Sequence, residues 1–159
     1  MKSARVLTFA GVLLMIFAQA ANPALSQIYN YSDREYLEFV RMIDENDYLG
    51  IKEKIEGCAD PNTTRSDGET ILMYAVKTGN SDITKLLIEL GADVNARNLA
   101  GGTPLMYAAS IDRADIAAQL IYGGANVREK DEYGRTALII AMERGSRAIV
   151  KMLREIMDP

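Results

Sequence analysis

The sequence repeats itself every 33 residues, and this period constrains the fold more than any other feature of the chain. Glycines mark it at Gly68, Gly101 and Gly134. Four further positions in each unit keep the same spacing: Thr70, Thr103 and Thr136; Leu72, Leu105 and Leu138; Ala75, Ala108 and Ala141; and Ile83, Ile116 and Ile149. A fixed period of about 20–50 residues is the sequence signature of stacked repeat architectures. The chain is therefore predicted to be a repeat protein.

The motifs inside this period are GETILMYA, GGTPLMYAA and GRTALIIA, alternating with turns of the type GADVN and GANVR. They resemble the ankyrin repeat, specifically over residues 58–157 and weakly over residues 34–57. The resemblance implies an all-α solenoid of about four helix–turn–helix units with short β-hairpin fingers. Met73, Met106 and Ile139 stand where the family usually has His, so the hydrogen bonds of that imidazole cannot form.

The repeats, together with the character of the N-terminal residues, divide the chain into three parts. Residues 1–20 are predicted to be a signal peptide, residues 21–32 a linker and residues 33–159 the ankyrin-repeat domain. That domain is expected to consist of a helix pair at 33–57 that caps the N-terminal end, followed by repeats at 58–90, 91–123 and 124–159. The fingers between units are expected at Asp60–Glu69, Asp93–Gly102 and Asn126–Arg135, whose Asn, Asp and Gly content fits tight turns.

Local sequence patterns predict the N-terminal helix pair and the ends of the helices. Ser32 to Glu35 has the S-x-x-E form of a capping box, which predicts the start of a helix. An apolar face is then expected from Tyr36, Leu37, Val40 and Ile43. The repeated threonines are expected to cap the first helix of each repeat. Left-handed helix ends are expected at Gly91 and Gly124, and Asp112 takes the turn position that glycine holds at Gly79 and Gly145.

Composition excludes several classes of function. The chain has no His and a net charge of −4. Without His, most nucleophilic triads and most zinc sites cannot be built. A weakly acidic chain without a basic patch argues against nucleic acid as a partner. Asp44, Glu45 and Asp47 lack the spacing of a calcium loop and read as a solvated helix end. We expect the chain to bind no cofactor and no metal and to have no enzymatic activity. A Ser–Lys or carboxylate-only mechanism is the alternative that composition leaves open.

The first twenty residues have the order of a secretory signal. Lys2 and Arg5 precede an apolar run, Val6–Ala18, and Ala18 to Ala20 forms an A-x-A cleavage motif. The run of about 13 residues is shorter than the ~20 that span a bilayer, which favours cleavage over an uncleaved membrane anchor. The predicted location is therefore the periplasm or the exterior of the cell. A bacterial periplasm is favoured by the resemblance and the brief signal.

An exported chain would carry Cys58 as a single cysteine in an oxidising place. It could form an intermolecular disulfide or act as a reactive thiol. We favour a small, partly buried side chain instead, because no neighbouring Lys or Arg supplies the electropositive setting that activates thiols.

Function is expected on the variable face of the solenoid. The resemblance implies that a partner protein meets the fingers and the exposed side of the first helices. Carried over position by position, these contacts are Ser66, Glu69, Lys77, Thr78, Arg97, Leu99, Gly102, Ser110, Ile111, Lys130, Glu132, Tyr133, Arg135, Glu143 and Arg144. Leu99, Ile111 and Tyr133 stand out, since apolar residues among polar ones are typical of binding hot spots. Single surface hydrophobics are also normal.

Two alternatives accompany this interpretation. Tyr74 and Tyr107 occupy equivalent positions and could form a ligand-stacking surface, although semi-buried packing between repeats is favoured. The main functional hypothesis is an exported, non-catalytic protein-binding module. The alternatives are a scaffold tethered by an uncleaved N-terminal segment and an enzyme.

Overall fold

A computed structural model of the chain describes residues 31–157, so the predicted signal peptide and residues 21–30 of the predicted linker lie outside the described residues. Over the described part, eight α-helices follow one another: α1 Tyr31–Asp44, α2 Tyr48–Glu56, α3 Ile71–Thr78, α4 Ser81–Glu89, α5 Pro104–Ser110, α6 Ala114–Tyr122, α7 Ala137–Arg144 and α8 Arg147–Met157. They form four consecutive pairs. First helices contact first helices of the next pair, and second helices contact second helices, which gives two layers. The expected all-α repeat fold is confirmed.

The repeated threonines cap the first helix of each repeat. The side-chain oxygen of Thr70 accepts a hydrogen bond from the backbone N–H of Met73 at 3.1 Å. Thr103 and Thr136 make the equivalent bonds three residues on. Each bond satisfies an amide that has no partner inside the helix. The predicted N-caps are therefore confirmed.

The turns between helices use left-handed backbone where the sequence predicts it. Gly91 and Gly124 have φ angles of 91° and 92°. Asp112 has φ 56°, where glycine occupies the equivalent turns of the other repeats. Cys58 stands at the position of Gly91 with φ 81°, and its side chain is exposed. The prediction of a partly buried thiol is wrong, because this helix end lies at the surface.

The core lies between the two layers. Leu72, Leu105, Ala75 and Ala108 are buried at the seams between first helices. Leu138 occupies the same repeat position but is only half-buried, because no further repeat packs on α7 within the described residues. On α8, the predicted polar residues are exposed: Arg147, Lys151, Arg154 and Glu155.

The N-terminal pair differs from expectation in two ways. Ser32 lies within α1 rather than at its N-cap, since the helix already includes Tyr31. Leu37 is 58% exposed, whereas Phe39 is fully buried with Tyr36. Leu37 follows Tyr36 by one residue, about 100° around the helix, so it falls outside the inward-facing stripe. The buried face of α1 contains Phe39 instead.

The fingers are tight turns joined in a row. In each one a glycine N–H donates back to the carbonyl three residues earlier, as from Gly101 to Asn98 at 2.9 Å. Neighbouring fingers are linked by the N–H of Leu99 to the carbonyl of Asp67 and by the N–H of Glu132 to the carbonyl of Ala100, both 3.0 Å. The described residues contain a single isolated β-bridge, between Thr64 and Thr70, and no extended strand. The expected β-hairpins are not confirmed.

Candidate partner-binding surface

The residues predicted to meet a partner lie on one face, formed by the three finger turns and by α3, α5 and α7. We call it the finger face. Eleven are exposed: Ser66, Lys77, Thr78, Arg97, Leu99, Ile111, Lys130, Glu132, Tyr133, Glu143 and Arg144. Gly102, Ser110 and Arg135 are half-buried. Glu69 is the exception.

Glu69 was expected at the surface, and this prediction is wrong. Its side chain is only 6% exposed. One carboxylate oxygen accepts a hydrogen bond from the Tyr36 hydroxyl at 2.8 Å, and the other accepts from Lys77 Nζ at 2.6 Å. Burial, reinforced by the bond to Glu69, raises the pKa of Tyr36 far above its usual value. Glu69 therefore joins the N-terminal pair to the first finger.

The two equivalent tyrosines are held by polar contacts at their rims. The Tyr74 ring packs edge-on against Tyr36, with 6.3 Å between centroids, and its hydroxyl donates to Asp44 at 3.0 Å. The Tyr107 hydroxyl accepts from Asn98 Nδ2 at 2.7 Å, and Lys77 Nζ lies 5.5 Å from its ring centroid. Burial raises the pKa of the Tyr107 hydroxyl. These contacts support semi-buried packing rather than a stacking surface.

A groove of about 400 Å³ opens on the finger face between the last two repeats. Met106 and Ile140 are nearly buried and form its apolar base, and Tyr107 and Tyr133 supply aromatic rings. Its polar and small lining residues are Asn98, Ala100, Gly102, Ser110, Asp131, Arg135, Glu143 and Arg144. The groove thus combines an apolar base with a charged rim, as ligand-contacting surfaces usually do.

Most of the rim charges are already paired. Asp131 accepts from the backbone N–H groups of Tyr133 and Arg135 and forms an ion pair with Arg135 at 2.8 Å. Desolvation opposes ionisation of Asp131, but the bonds from Arg135 prevail and lower its pKa. Arg135 also lies 5.1 Å from the Tyr133 ring centroid and 4.0 Å from Glu143. These contacts fix the Arg135 and Tyr133 side chains within the third finger and link Arg135 to Glu143 on α7.

Three apolar side chains project from the finger face. Leu99 is 81% exposed, Tyr133 is 73% exposed and Ile111 is 37% exposed. Leu99 and Tyr133 lie on neighbouring fingers, which are joined by the bond from Glu132 to Ala100. Arg97 is less free, because its guanidinium pairs with Glu129 and donates to the Lys130 carbonyl. The exposed apolar residues are therefore better placed for contact than Arg97.

Sequence reasoning missed several residues that line the groove. Ile140 was not singled out, and Met106 was noted where the family usually has His, yet both reach the base of the groove. Asn98 and Asp131 were predicted only as residues of the finger turns. Their side chains also line the rim of the groove, where they accept hydrogen bonds from the N–H groups of Gly102 and Arg135. The signal that could have found the groove is the small size of Gly102 and Ser110, since the equivalent positions in the neighbouring repeats carry long side chains.

Two residues of the acidic cluster at the end of α1 make hydrogen bonds within the fold. Asp44 accepts from the Tyr74 hydroxyl, and Asp47 accepts from the Gly50 N–H at the start of α2. Within residues 31–157, no group of three His, Cys, Asp or Glu side chains is gathered as metal ligands would be. Over the same range, no helix has the length and apolar character needed to cross a membrane.

Comparison with known proteins gives one finding on relationship. A family model described as ankyrin repeats in three copies matches residues 39–131 and residues 91–158. Together these matches cover well over half of the 159 residues. No curated protein matches the chain.

Proposed function

The chain belongs to the ankyrin-repeat family, and from that premise we propose that it is a non-catalytic module that binds a partner protein through the finger face. Ankyrin repeats are generally protein–protein interaction modules. The observation that carries the assignment of the face is the exposure of Leu99 and Tyr133 on adjacent fingers beside an open groove. Tyrosine is enriched among binding hot spots, and burial of an exposed leucine beside it by a partner is favourable in free energy.

The character of the groove favours binding over catalysis. Ankyrin repeats are generally non-catalytic. The groove is open, and within it Arg135 forms ion pairs with both Asp131 and Glu143. A catalytic site usually needs a nucleophile or an acid–base group whose environment perturbs it toward reactivity. Here the pKa of Asp131 is shifted away from use as a base near neutral pH.

Export is the second part of the proposal. It is supported by the sequence pattern of residues 1–20, in which a charged start, an apolar run and an A-x-A motif follow in order. The intact mass of the protein isolated from its source tests it. A mass that begins at Ala21 supports export with cleavage. A full-length mass in the membrane fraction would replace export with a tethered scaffold.

Capture of a partner tests the binding function. The mature chain, immobilised through its C-terminus, is incubated with an extract of the source cells, beside the double variant Leu99→Asp with Tyr133→Ala. Tyr122→Ser is the matched control, because Tyr122 is 97% exposed at the end of α6, outside the finger face. The proposal expects a specific partner on the parent chain and on the control, but not on the double variant. Equal capture by all three chains would overturn the assignment of the finger face.

A further inference from the structure

Two positions of the 33-residue period carry opposite charges in two of the repeats. Glu69 and Lys77 form an ion pair at 2.6 Å. One period further, the same positions hold Gly102 and Ser110. A second period further they hold Arg135 and Glu143, which lie 4.0 Å apart with the charges exchanged. The middle repeat is thus the one that places no charged pair there.

The missing pair leaves space. Gly102 and Ser110 both line the groove of about 400 Å³, together with Met106, Tyr107 and Ile140. We call these five residues the notch. Lys77 approaches the Tyr107 ring from the preceding repeat, with Nζ 5.5 Å from the ring centroid. The short side chain of Ser110 cannot reach in the same way toward the next repeat. The notch therefore leaves the Tyr107 ring half-exposed beside the nearly buried Met106 and Ile140.

The charges around the notch select what can enter it. Arg135 pairs with both Asp131 and Glu143. Arg144 also lines the groove, is exposed and forms no hydrogen bond or ion pair with any described residue. A free guanidinium beside an apolar recess is complementary to a carboxylate next to an apolar side chain, since Arg binds carboxylates in two-point geometry.

We propose that the notch receives one large apolar side chain from an extended segment of the partner protein, while a nearby carboxylate of that segment pairs with Arg144. This inference rests on the proposed function and names the chemistry of the segment that the finger face binds. The inserted side chain takes the place that Lys77 fills in the preceding repeat. Its burial against Met106, Ile140 and Tyr107 supplies the apolar contact, and Arg144 sets the direction in which the segment lies.

Short peptides test the notch without knowledge of the partner. The probe is acetyl-Gly-Phe-Gly-Asp-Gly-amide, added to the ¹⁵N-labelled chain and followed by amide chemical shifts. We expect saturable shifts at Tyr107, Ser110 and Ile140. A peptide with Gly in place of Phe should bind about tenfold more weakly or not at all. No shifts at the notch, or equal shifts with both peptides, would overturn the proposal.

The role of Arg144 is tested with a second pair of measurements. A peptide with Asn in place of Asp should bind the parent chain more weakly than the Asp peptide, and Arg144→Gln should remove that difference. The neighbouring charge variant Arg147→Gln, on α8 and outside the groove lining, should preserve it. An Asp preference that survives in Arg144→Gln would contradict the assignment of the guanidinium.

Filling the notch gives an independent test. Ser110→Lys restores the long side chain found at Lys77 and should abolish the shifts, whereas Tyr122→Lys, at the end of α6 and outside the groove lining, should retain them. Adding Gly102→Glu recreates the whole pair. That change is made second, because a Cβ at Gly102 would meet Asn98 Oδ1 at 3.2 Å. The dispersion of the amide spectrum reports whether each variant is folded. Peptide binding that is unchanged in folded Ser110→Lys would contradict the proposal.

Partner capture separates this inference from the function on which it rests. Loss of the partner with both Ser110→Lys and the Leu99/Tyr133 double variant supports both proposals. Loss with the double variant alone would overturn the notch and leave the finger face intact. Capture by both variants would overturn the two proposals together.

Discussion

The Tyr36 hydroxyl lies 2.8 Å from a carboxylate oxygen of Glu69, a residue one full period further along the chain. Lys77 takes the other oxygen at 2.6 Å, so both oxygens of this buried carboxylate have a donor. A buried charge without such partners would be strongly unfavourable. The link fastens the N-terminal helix pair to the stack, and it removes Glu69 from the surface available to a partner.

Tyr36→Phe should therefore lower the free energy of unfolding by about 1–3 kcal/mol, because one buried carboxylate oxygen loses its donor. Urea unfolding followed by circular dichroism measures the change. Tyr74→Phe is the matched control, since its hydroxyl bonds the exposed Asp44, and it should cost less than about 1 kcal/mol. Equal costs for the two variants would contradict a special role for the bond to Glu69.

Ala108→Leu should destabilise the stack by about 1–3 kcal/mol, since Ala108 is fully buried where α5 packs between neighbouring first helices. Ala118→Leu makes the same change at a half-exposed position on α6 and should cost much less. Denaturant midpoints of both variants decide the matter. A tolerated Ala108→Leu would mean that the seam is looser than the packing indicates.

Asp112→Gly should stabilise the protein by up to about 1 kcal/mol. Asp112 holds a φ of 56° in a turn where two other repeats use glycine, and a side chain carries a cost in that region. The reciprocal change Gly145→Asp should destabilise by a similar amount, because nothing lies within 4 Å of a Cβ built there and only the backbone conformation matters. Melting temperatures measure both. Shifts of the same sign would refute the argument.

Acid stability should depend on Asp131. Its pKa is lowered in the folded protein below the ordinary value of 3.8, so folding favours the ionised form. The corresponding stability is present above about pH 4 and is lost as the pH falls below 3.8 toward the folded pKa. Asp131→Asn removes this titration. Asn98 indicates that an amide can hold the turn, since its Oδ1 accepts from the Gly102 N–H.

The melting temperature of Asp131→Asn should therefore fall less than that of the parent chain between about pH 7 and about pH 2.5. Thermal scans at a series of pH values measure the two slopes. Identical slopes would show that Asp131 does not contribute to the acid dependence.

Much of the fold could be predicted because the same local sequence pattern occurs in each repeat. The caps at Thr70 and its equivalents depend on contacts within one helix turn, which sequence spacing specifies. Glu69 could not be placed, because its burial depends on Tyr36 and Lys77 reaching this finger residue from α1 and α3. Leu37 was misassigned because its spacing from Tyr36 did not show which side of α1 is buried, and packing against α2 and α3 buries Phe39 instead.

The candidate site was predictable as a face but not as a groove. The exposed positions of Leu99 and Tyr133 follow from the repeat register alone. The recess between Met106 and Ile140 arises from side chains that are absent at Gly102 and Ser110, and its depth depends on how neighbouring repeats stack. The pattern of apolar residues in the sequence predicts which side chains pack together. It does not predict an unfilled space between two repeats.

The affinity of the captured partner for single variants tests the central claim most directly. Isothermal titration calorimetry compares the parent chain with Leu99→Asp on the finger face and with Tyr122→Ser at the end of α6. Loss of a hot spot costs about 2 kcal/mol or more, so Leu99→Asp should weaken binding about 30-fold or more while Tyr122→Ser leaves it unchanged. Unchanged affinity with Leu99→Asp would contradict binding through the finger face.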